Sequence, residues 1–227
     1  MIVHSNFIKK ELCSYFNLQP NKVEVVYEDL RKDFYNLKEK DCLKFLKKFK
    51  LKFKKFFLIV NTLDSRKNFN FILDIYSRLK SQIQHKYPLV IFGQKGRYSE
   101  SIISKIKELE NCFYFDYLDE YLLNQCFSSA KIFLYPSLYE GFDISPLESM
   151  ASGTPVIASN IEATKEILED NAILLDLNDE FIWINKIEEL LENQEFYYEL
   201  QNKGLNHATK FKKNNTINKI LNIYERI

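Results

Sequence analysis

The stretch LYPSLYEGFDISPLESMASGTPVIAS, Leu134–Ser159, decides how the rest of the chain is interpreted. It holds five of the ten glycines and prolines in the whole chain: Pro136, Gly141, Pro146, Gly153 and Pro155. Both residue types mark backbone in special conformations, so the pattern predicts strand, loop, short helix and strand. The predicted bounds are Lys131–Tyr135, Pro136–Ile144, a helix from about Ser145, and Val156–Ala158. A strand-loop-helix junction of this kind binds ligands in open α/β sheets, because the N–H groups at the helix start are free to meet an anion.

Two glutamates in this stretch, Glu140 and Glu148, lie eight positions apart. The segment EGFDISPLE followed by SMASGTPVIAS resembles the donor-site signature of the retaining GT-B glycosyltransferases of family 4 (glycosyl transferases group 1), whose core is such a glutamate pair. The resemblance extends to Asn61–Asn68, to Leu89–Arg97 and to about Asp176. It implies an α/β fold, a doubly wound Rossmann-like parallel sheet that forms the C-terminal half of a GT-B fold, with a helical C-terminal tail.

The apolar pattern independently predicts six strands that alternate with helices over Phe56–Leu175. Short apolar runs bounded by charged residues are typical of parallel strands that are buried on both faces. One of the predicted helices covers Asn68–Gln84. From Asp179 onward the pattern predicts helices only, with breaks near Gly204 and Asn214.

The resemblance divides the chain into three parts. Residues 1–36 resemble the end of the N-terminal acceptor domain of the family, and Ser5 within them is a predicted N-cap of a helix. Residues 37–205 form the nucleotide-sugar-binding domain, and residues 206–227 form the helix that crosses back between domains. Most of the N-terminal domain is then expected to be missing, and with it the acceptor site and half of the catalytic cleft.

Composition narrows the class of protein. The 32 basic and 31 acidic residues give a net charge of +1, which provides no case for a nucleic-acid partner. The four cysteines have irregular spacing, which predicts reduced thiols of a cytoplasmic protein. The histidines show no ligand-like spacing, and the resemblance implies catalysis without a metal or another cofactor. No apolar run approaches the roughly 20 residues that a membrane span needs.

The segment Lys38–Lys55 interleaves lysines with large apolar residues. Its spacing predicts a helix with a basic outer face. Such a face contacts an anionic membrane surface, which would place the protein at the inner membrane face, or it is a solvated helix face beside a linker. The sequence leaves both interpretations open.

Two loops that follow strands supply further candidate residues. Arg66 and Lys67 lie in a strand-to-helix loop. The planar guanidinium of Arg66 and the compact ammonium charge of Lys67 suit the binding of a diphosphate. In the family this loop carries the basic pair that holds the phosphates of the sugar nucleotide. Gly93 follows the next predicted strand and would line the same crevice.

Each of the two glutamates has one interpretation as a ligand-binding residue and one without a ligand. The resemblance implies that Glu140 lies under the donor sugar, close to the reacting carbon, whereas an ordinary loop glutamate is only solvated. It implies that Glu148 accepts hydrogen bonds from the ribose hydroxyls. Ser145–Glu148 also fits a capping box, in which Glu148 would only close the helix start. Asp143 stands where the family usually has glycine, and an aspartate beside a diphosphate is repulsive.

The resemblance therefore implies a glycosyltransferase of the hexosyltransferase type. It would move a sugar from a nucleotide-diphosphate donor to a surface glycan or lipid-linked saccharide with retention of configuration. The catalytic set is Glu140, Lys67 and Arg66, and the donor-binding set is Gly93, Gly141, Phe142, Asp143, Leu147 and Glu148. The alternatives are a donor-binding subunit or fragment that needs a partner chain for the acceptor domain, and another enzyme of similar fold such as an epimerase.

Overall fold

The structure is a computed structural model that describes residues 1–97, 99–212 and 215–226. The strands are β1 (Ile2–Val3), β2 (Glu24–Val25), β3 (Phe57–Val60), β4 (Leu89–Phe92), β5 (Cys112–Phe115), β6 (Ile132–Tyr135), β7 (Val156–Ser159) and β8 (Ile173–Leu175). The helices are α1 (Asn6–Tyr15), α2 (Leu43–Phe49), α3 (Phe69–Arg78), α4 (Ser81–Lys86), α5 (Ser99–Glu108), α6 (Glu120–Ser129), α7 (Ser145–Ala151), α8 (Glu162–Leu168), α9 (Glu180–Glu192), α10 (Gln194–Ala208) and α11 (Asn215–Tyr224). The break predicted near Asn214 lies outside the described residues.

Six parallel strands form the main sheet in the order β5-β4-β3-β6-β7-β8. The chain runs outward from β3 to β5 and then returns to the other side of β3, where Phe57 pairs with Ile132. This reversal opens a crevice at the carboxyl ends of β3 and β6, which is where open α/β sheets bind ligands. The predicted doubly wound, Rossmann-like sheet and the helical tail are confirmed.

The central strands are buried on both faces because helices cover each side of the sheet. Every residue of β4, β6 and β7 is buried. Side chains alternate between the faces along each strand, so Phe57 and Ile59 join one apolar cluster and Leu58 joins the other. Helix α9 contributes Trp183 to the first cluster, and α7 contributes Leu147 to the second.

Helix α10 packs against α7 at Gly204. A Cβ atom on Gly204 would lie 3.1 Å from Cγ of Met150, so glycine permits a close approach of the two helices. The predicted break near Gly204 is wrong, because α10 runs without interruption from Gln194 to Ala208. This glycine serves helix packing rather than a turn.

Two predicted helices are shorter than expected. The segment Lys38–Lys55 forms a 3-10 turn over Glu39–Asp41 and then the seven residues of α2, after which Lys50 and Lys54 adopt left-handed backbone (φ 54° and 55°). The predicted helix over Asn68–Gln84 divides into α3 and α4, because the buried Leu79 takes an extended conformation between them. No helix within the described ranges is both long and apolar enough to pass through a bilayer.

The N-terminal segment packs beside the carboxyl ends of the main sheet. Its strands β1 and β2 pair in parallel. Helix α1 begins after Ser5, which is the N-cap as predicted, because its Oγ accepts a hydrogen bond from the N–H of Ile8 at 3.2 Å. Helix α11 packs back onto this segment, where Thr216 Oγ1 donates to the carbonyl of Tyr27 at 2.6 Å. The two ends of the chain therefore meet.

Candidate functional site

The switch point between β3 and β6 brings two loops together. The loop after β3 carries Arg66 and Lys67 in a short 3-10 turn, and the loop after β6 carries Glu140 and Asp143. The N–H of Leu138 donates to the carbonyl of Arg66 at 2.8 Å, which fixes one loop against the other. Residues far apart in sequence are thereby held at one end of the sheet.

Two cations and two carboxylates form a charge cluster in these loops. Nζ of Lys67 lies 2.7 Å from Oε1 of Glu140 and 2.9 Å from Oδ2 of Asp143, and Nη1 of Arg66 lies 2.8 Å from Oε2 of Glu140. Lys67 and Glu140 are only 5% and 4% exposed, so salt screens their interaction much less than that of a surface pair. The two positive and two negative charges balance within the cluster.

Asp143 connects this cluster to strand β6 and helix α7. Its Oδ2 accepts hydrogen bonds from the hydroxyl of Tyr135 at 2.6 Å and from Lys67, and its Oδ1 accepts the N–H of Ser145 at 2.9 Å. Burial alone would raise the pKa of Asp143, but the charge of Lys67 and the Tyr135 hydrogen bond outweigh it, so the pKa lies below its ordinary value. The Ser145 N–H at the helix start, expected to be free for an anion, is already occupied by this carboxylate.

Arg66 is the more accessible of the two cations. Its side chain is 52% exposed, whereas that of Lys67 is 5% exposed. Burial would lower the pKa of Arg66, but the neighbouring charge of Glu140 raises it overall. The described part of the chain holds no group of three or more His, Cys, Asp and Glu side chains arranged to bind a metal ion.

Glu148 lies on α7 and is 5% exposed. Its Oε1 lies 3.2 Å from Nη2 of Arg31, a residue of the N-terminal segment that also pairs with the exposed Glu120. Ser145 is the first helical residue rather than the N-cap, so the capping-box interpretation of Glu148 is wrong. Burial raises the pKa of Glu148 to about 7, and the negative charge of Asp143 adds to the rise.

Gly141 and Phe142 contact the N-terminal segment. The carbonyl of Gly141 accepts a hydrogen bond from Ser5 Oγ at 2.6 Å, and a Cβ atom on Gly141 would lie 3.1 Å from Cγ1 of Ile8. Phe142 stacks on Tyr27 with ring centres 6.1 Å apart. The loop after β6 is therefore held in place by residues of the segment 1–36, which the sequence assigned to a different domain.

Gly93 and Leu147 occupy two further environments. A Cβ atom on Gly93 would lie 1.7 Å from the carbonyl oxygen of Asn61, so only glycine lets the loops after β3 and β4 approach so closely. Leu147 is fully buried in the core. Tyr135 and Arg31 belong to the site but were not predicted. Tyr135 could have been found as the last residue of a buried strand, whereas no pattern marks Arg31.

Two cavities lie near the loop that follows β6. One of about 270 Å³ is lined by Glu140 together with Leu138, Tyr139 and Asn160. The other is a larger groove of about 990 Å³ between α1 and α8, and Tyr139 borders it as well. Phe7, Tyr139 and Glu162 line both cavities, so the cavity beside Glu140 borders the groove at α1.

The raised pKa of Glu148 predicts how stability depends on pH. The native state binds the proton more tightly than the unfolded state, in which the pKa is near 4.5, so this residue lowers stability as pH rises from about 4.5 to about 7. Glu148→Gln removes the ionisation. We expect the variant to match the wild type at acid pH and to exceed it by up to about 3 kcal/mol above pH 7, measured by urea unfolding across pH.

Glu120→Gln is the matched control for that experiment. It removes the other carboxylate on Arg31, but the Glu120 side chain is 79% exposed. Exposed ion pairs contribute about 0–1 kcal/mol, so the control should change stability little. A stability difference for Glu148→Gln that stays constant across the pH range would contradict the assignment of a raised pKa to this carboxyl group.

The sequence matches known proteins over most of its length. The model of the family described as glycosyl transferases group 1 matches residues 44–214. The O-antigen chain mannosyltransferase B of Escherichia coli is 26% identical over 225 residues, which cover 97% of this chain and 59% of that protein. The O-antigen chain mannosyltransferase RfbU of Salmonella typhimurium is 30% identical over 190 residues, which cover 81% of this chain and 49% of that protein. The chain thus spans about half the length of these curated relatives.

Solved structures of low sequence identity share the fold. The structure of Anabaena Alr3699/HepE in complex with UDP and glucose has a TM-score of 0.86 and 16% identity, and the match covers 100% of this chain and 63% of that chain. WaaG, a glycosyltransferase involved in lipopolysaccharide biosynthesis, has a TM-score of 0.79 and 14% identity, with coverage of 92% and 58%. At these identities the likeness shows the architecture alone.

Proposed function

Because the chain belongs to the glycosyl transferases group 1 family, we propose that it transfers a sugar from a nucleotide-diphosphate donor to a glycan or lipid-linked acceptor with retention of configuration. The observation that carries the proposal is the meeting of Arg66, Lys67 and Glu140 at the switch point of the sheet. Both aligned O-antigen relatives are named as mannosyltransferases, so mannose on a guanosine carrier is the first donor to test, followed by a hexose on a uridine carrier.

Arg66 and Lys67 are proposed to hold the donor diphosphate. When the sugar–phosphate bond breaks, the leaving diphosphate gains negative charge, and cations already fixed in a site of low dielectric stabilise that charge without reorganisation. The proposed reaction needs no divalent metal for this step. The diphosphate would help to take the proton of an acceptor that attacks from the same face of the sugar.

Glu140 is proposed to bind the donor sugar. Its Oε1 is buried and lies beside Lys67, but it accepts no hydrogen bond of good geometry within the described residues, so lone pairs remain for a sugar hydroxyl. The cavity of about 270 Å³ at its side leaves room for the ring. Glu148 is proposed to accept the ribose hydroxyls, with Arg31 favouring its charged, acceptor-only form.

A second candidate function is donor binding without independent turnover. The groove between α1 and α8 has exposed aromatic residues, Tyr15 (84%) and Phe16 (60%), at its wall. In this version a partner chain covers that groove and supplies the acceptor site. Transfer would then require both chains, whereas nucleotide binding would not.

Calorimetry and product analysis test the proposal. Guanosine and uridine diphosphates, followed by their sugar conjugates, are titrated into the chain, and sugar transfer is measured with and without candidate partner chains. We expect at least one nucleoside diphosphate to bind. Binding without turnover that a partner rescues indicates the split enzyme, and an isomerised donor sugar indicates an epimerase. If no nucleoside diphosphate binds, the proposal fails.

Asp143→Asn should tighten the binding of the nucleoside diphosphate about tenfold. Asp143 places a negative charge 2.9 Å from the ammonium of Lys67, where the diphosphate is proposed to bind, and like charges at contact repel by about 1–4 kcal/mol. Asparagine keeps an oxygen for the N–H of Ser145 and removes the charge. The measurement is the dissociation constant by calorimetry.

Asp170→Asn makes the same change of net charge at an exposed position that forms no contact with the charge cluster in the described structure. It should leave nucleotide affinity unchanged. Weaker binding by Asp143→Asn would show that Asp143 instead contacts the donor directly, for example through a sugar hydroxyl.

A further inference from the structure

A basic groove lies along the edge of the sheet, between the α2–β3 connection and the edge strand β5. Its volume is about 700 Å³. We name it the lysine groove and define it by Lys50, Lys52, Lys55, Lys86, Phe113 and Phe115. Within the described residues that line it, none is acidic. It contains no member of the charge cluster at the switch point.

The lysines of this groove lack acidic partners. Lys50, Lys52, Lys55 and Lys86 form no ion pair with any described side chain, whereas Lys48 at the rim pairs with Asp119 at 2.6 Å. The ammonium groups of Lys55 and Lys86 lie 5.6 and 5.3 Å from the centre of the same Tyr87 ring. Positive charge is therefore gathered in one place without local neutralisation, which favours an anionic partner.

The same positive charges affect the pKa of the neighbouring Lys131. Its pKa is lowered to about 8, first by burial and then by the charges of Lys55 and Lys86. Lys55, Lys86 and Lys131 come just before β3, β4 and β6, so all three lie at the amino ends of neighbouring strands. An anion bound there would relieve this repulsion.

The walls of the groove are aromatic as well as basic. Phe113 is 46% exposed on β5, and Phe115, Phe49 and Leu51 are half-buried beside it. A free phosphate gains nothing from such surface. A phospholipid bilayer offers both an anionic headgroup layer and an apolar layer beneath it, and lysine side chains reach headgroups while their stems cover apolar surface.

We propose that the lysine groove docks the protein on a bilayer that contains anionic phospholipids. One of the two interpretations of the sequence put a membrane-facing surface on a continuous helix over Lys38–Lys55. The structure corrects the helix, because α2 ends at Phe49. The docking surface instead combines the segment after α2 with Lys86 and the edge strand. This inference goes beyond sugar transfer and does not depend on it.

Vesicle co-sedimentation tests the proposal with the full chain. Vesicles of phosphatidylcholine alone are compared with vesicles of phosphatidylcholine and phosphatidylglycerol, at low and at high salt. We expect binding to the anionic vesicles only, and weaker binding as salt increases. Each of Lys52→Gln, Lys55→Gln and Lys86→Gln should weaken binding about fivefold, and Phe113→Ser should weaken it further at constant charge.

The triple variant Lys22→Gln, Lys32→Gln, Lys107→Gln is the matched control, because it removes the same charge from exposed positions outside the groove. It should bind anionic vesicles as the wild type does. The comparison is the groove triple variant Lys52→Gln, Lys55→Gln, Lys86→Gln. Equal losses in it and in the control would mean that only net charge matters, and would overturn the proposal. It would also be overturned if inorganic phosphate or an oligonucleotide bound through these lysines while anionic vesicles did not bind.

Discussion

Replacing Lys67 with methionine should lower the free energy of unfolding by about 3–5 kcal/mol. Lys67 is 5% exposed and is the cation that lies between Glu140 and Asp143, at 2.7 and 2.9 Å. Methionine fills similar space but leaves two carboxylates close together in a buried site with only the exposed Arg66 near one of them. Nucleoside diphosphate binding should be lost in the same variant, and urea unfolding and calorimetry measure the two effects separately.

Arg66→Met provides the comparison for that result. Arg66 pairs with the same Glu140, but its side chain is 52% exposed, so stability should fall by no more than about 1 kcal/mol. Combining Lys67→Met with Glu140→Gln should restore part of the stability lost in Lys67→Met, because one of the unpaired carboxylates disappears. If Lys67→Met and Arg66→Met destabilise the fold equally, the buried cluster does not have the energetic role inferred from its geometry.

The sheet was predictable because its central strands obey one local rule. Phe57–Val60 and Leu89–Phe92 are short apolar runs, and such runs are stable only where helices cover both faces of a sheet. The uninterrupted course of α10 through Gly204 was not predictable in the same way. A glycine ends a helix or allows another helix to approach, and only the position of Met150 decides between the two.

The site was predictable where a motif supplied it and unpredictable where packing supplied it. Arg66, Lys67 and Glu140 were inferred from loop positions, and the structure brings them into contact, while their roles remain proposals. Arg31 lies in a connecting segment with no periodicity, and its pairing with Glu148 depends on how that segment crosses α7. The same holds for Asp143, since its direction toward Lys67 is set by a three-dimensional contact rather than by sequence spacing.

Glu140→Gln should reduce sugar transfer on the order of 100-fold or more, which is the scale of losing one preorganised electrostatic group at a reacting centre. Glutamine keeps the shape of the side chain but removes the charge that faces the cavity of about 270 Å³, where the donor sugar is proposed to lie. The diphosphate should bind as well as before or more tightly. Lys67 would then be neutralised by Asp143 alone, which leaves more positive charge for the phosphates.

The separation of these two effects makes the assignment testable residue by residue. Transfer is assayed with the partner chain present if the wild-type chain alone is inactive, and nucleoside diphosphate affinity is measured on the same preparations. Glu199→Gln makes the same charge change on a side chain that is 56% exposed and does not line this cavity, so it should preserve transfer. Two results would contradict the assignment: retained transfer in Glu140→Gln, or a loss of nucleotide affinity that parallels the loss of transfer. Either would mean that Glu140 does not contact the sugar and only holds Arg66 and Lys67 in position.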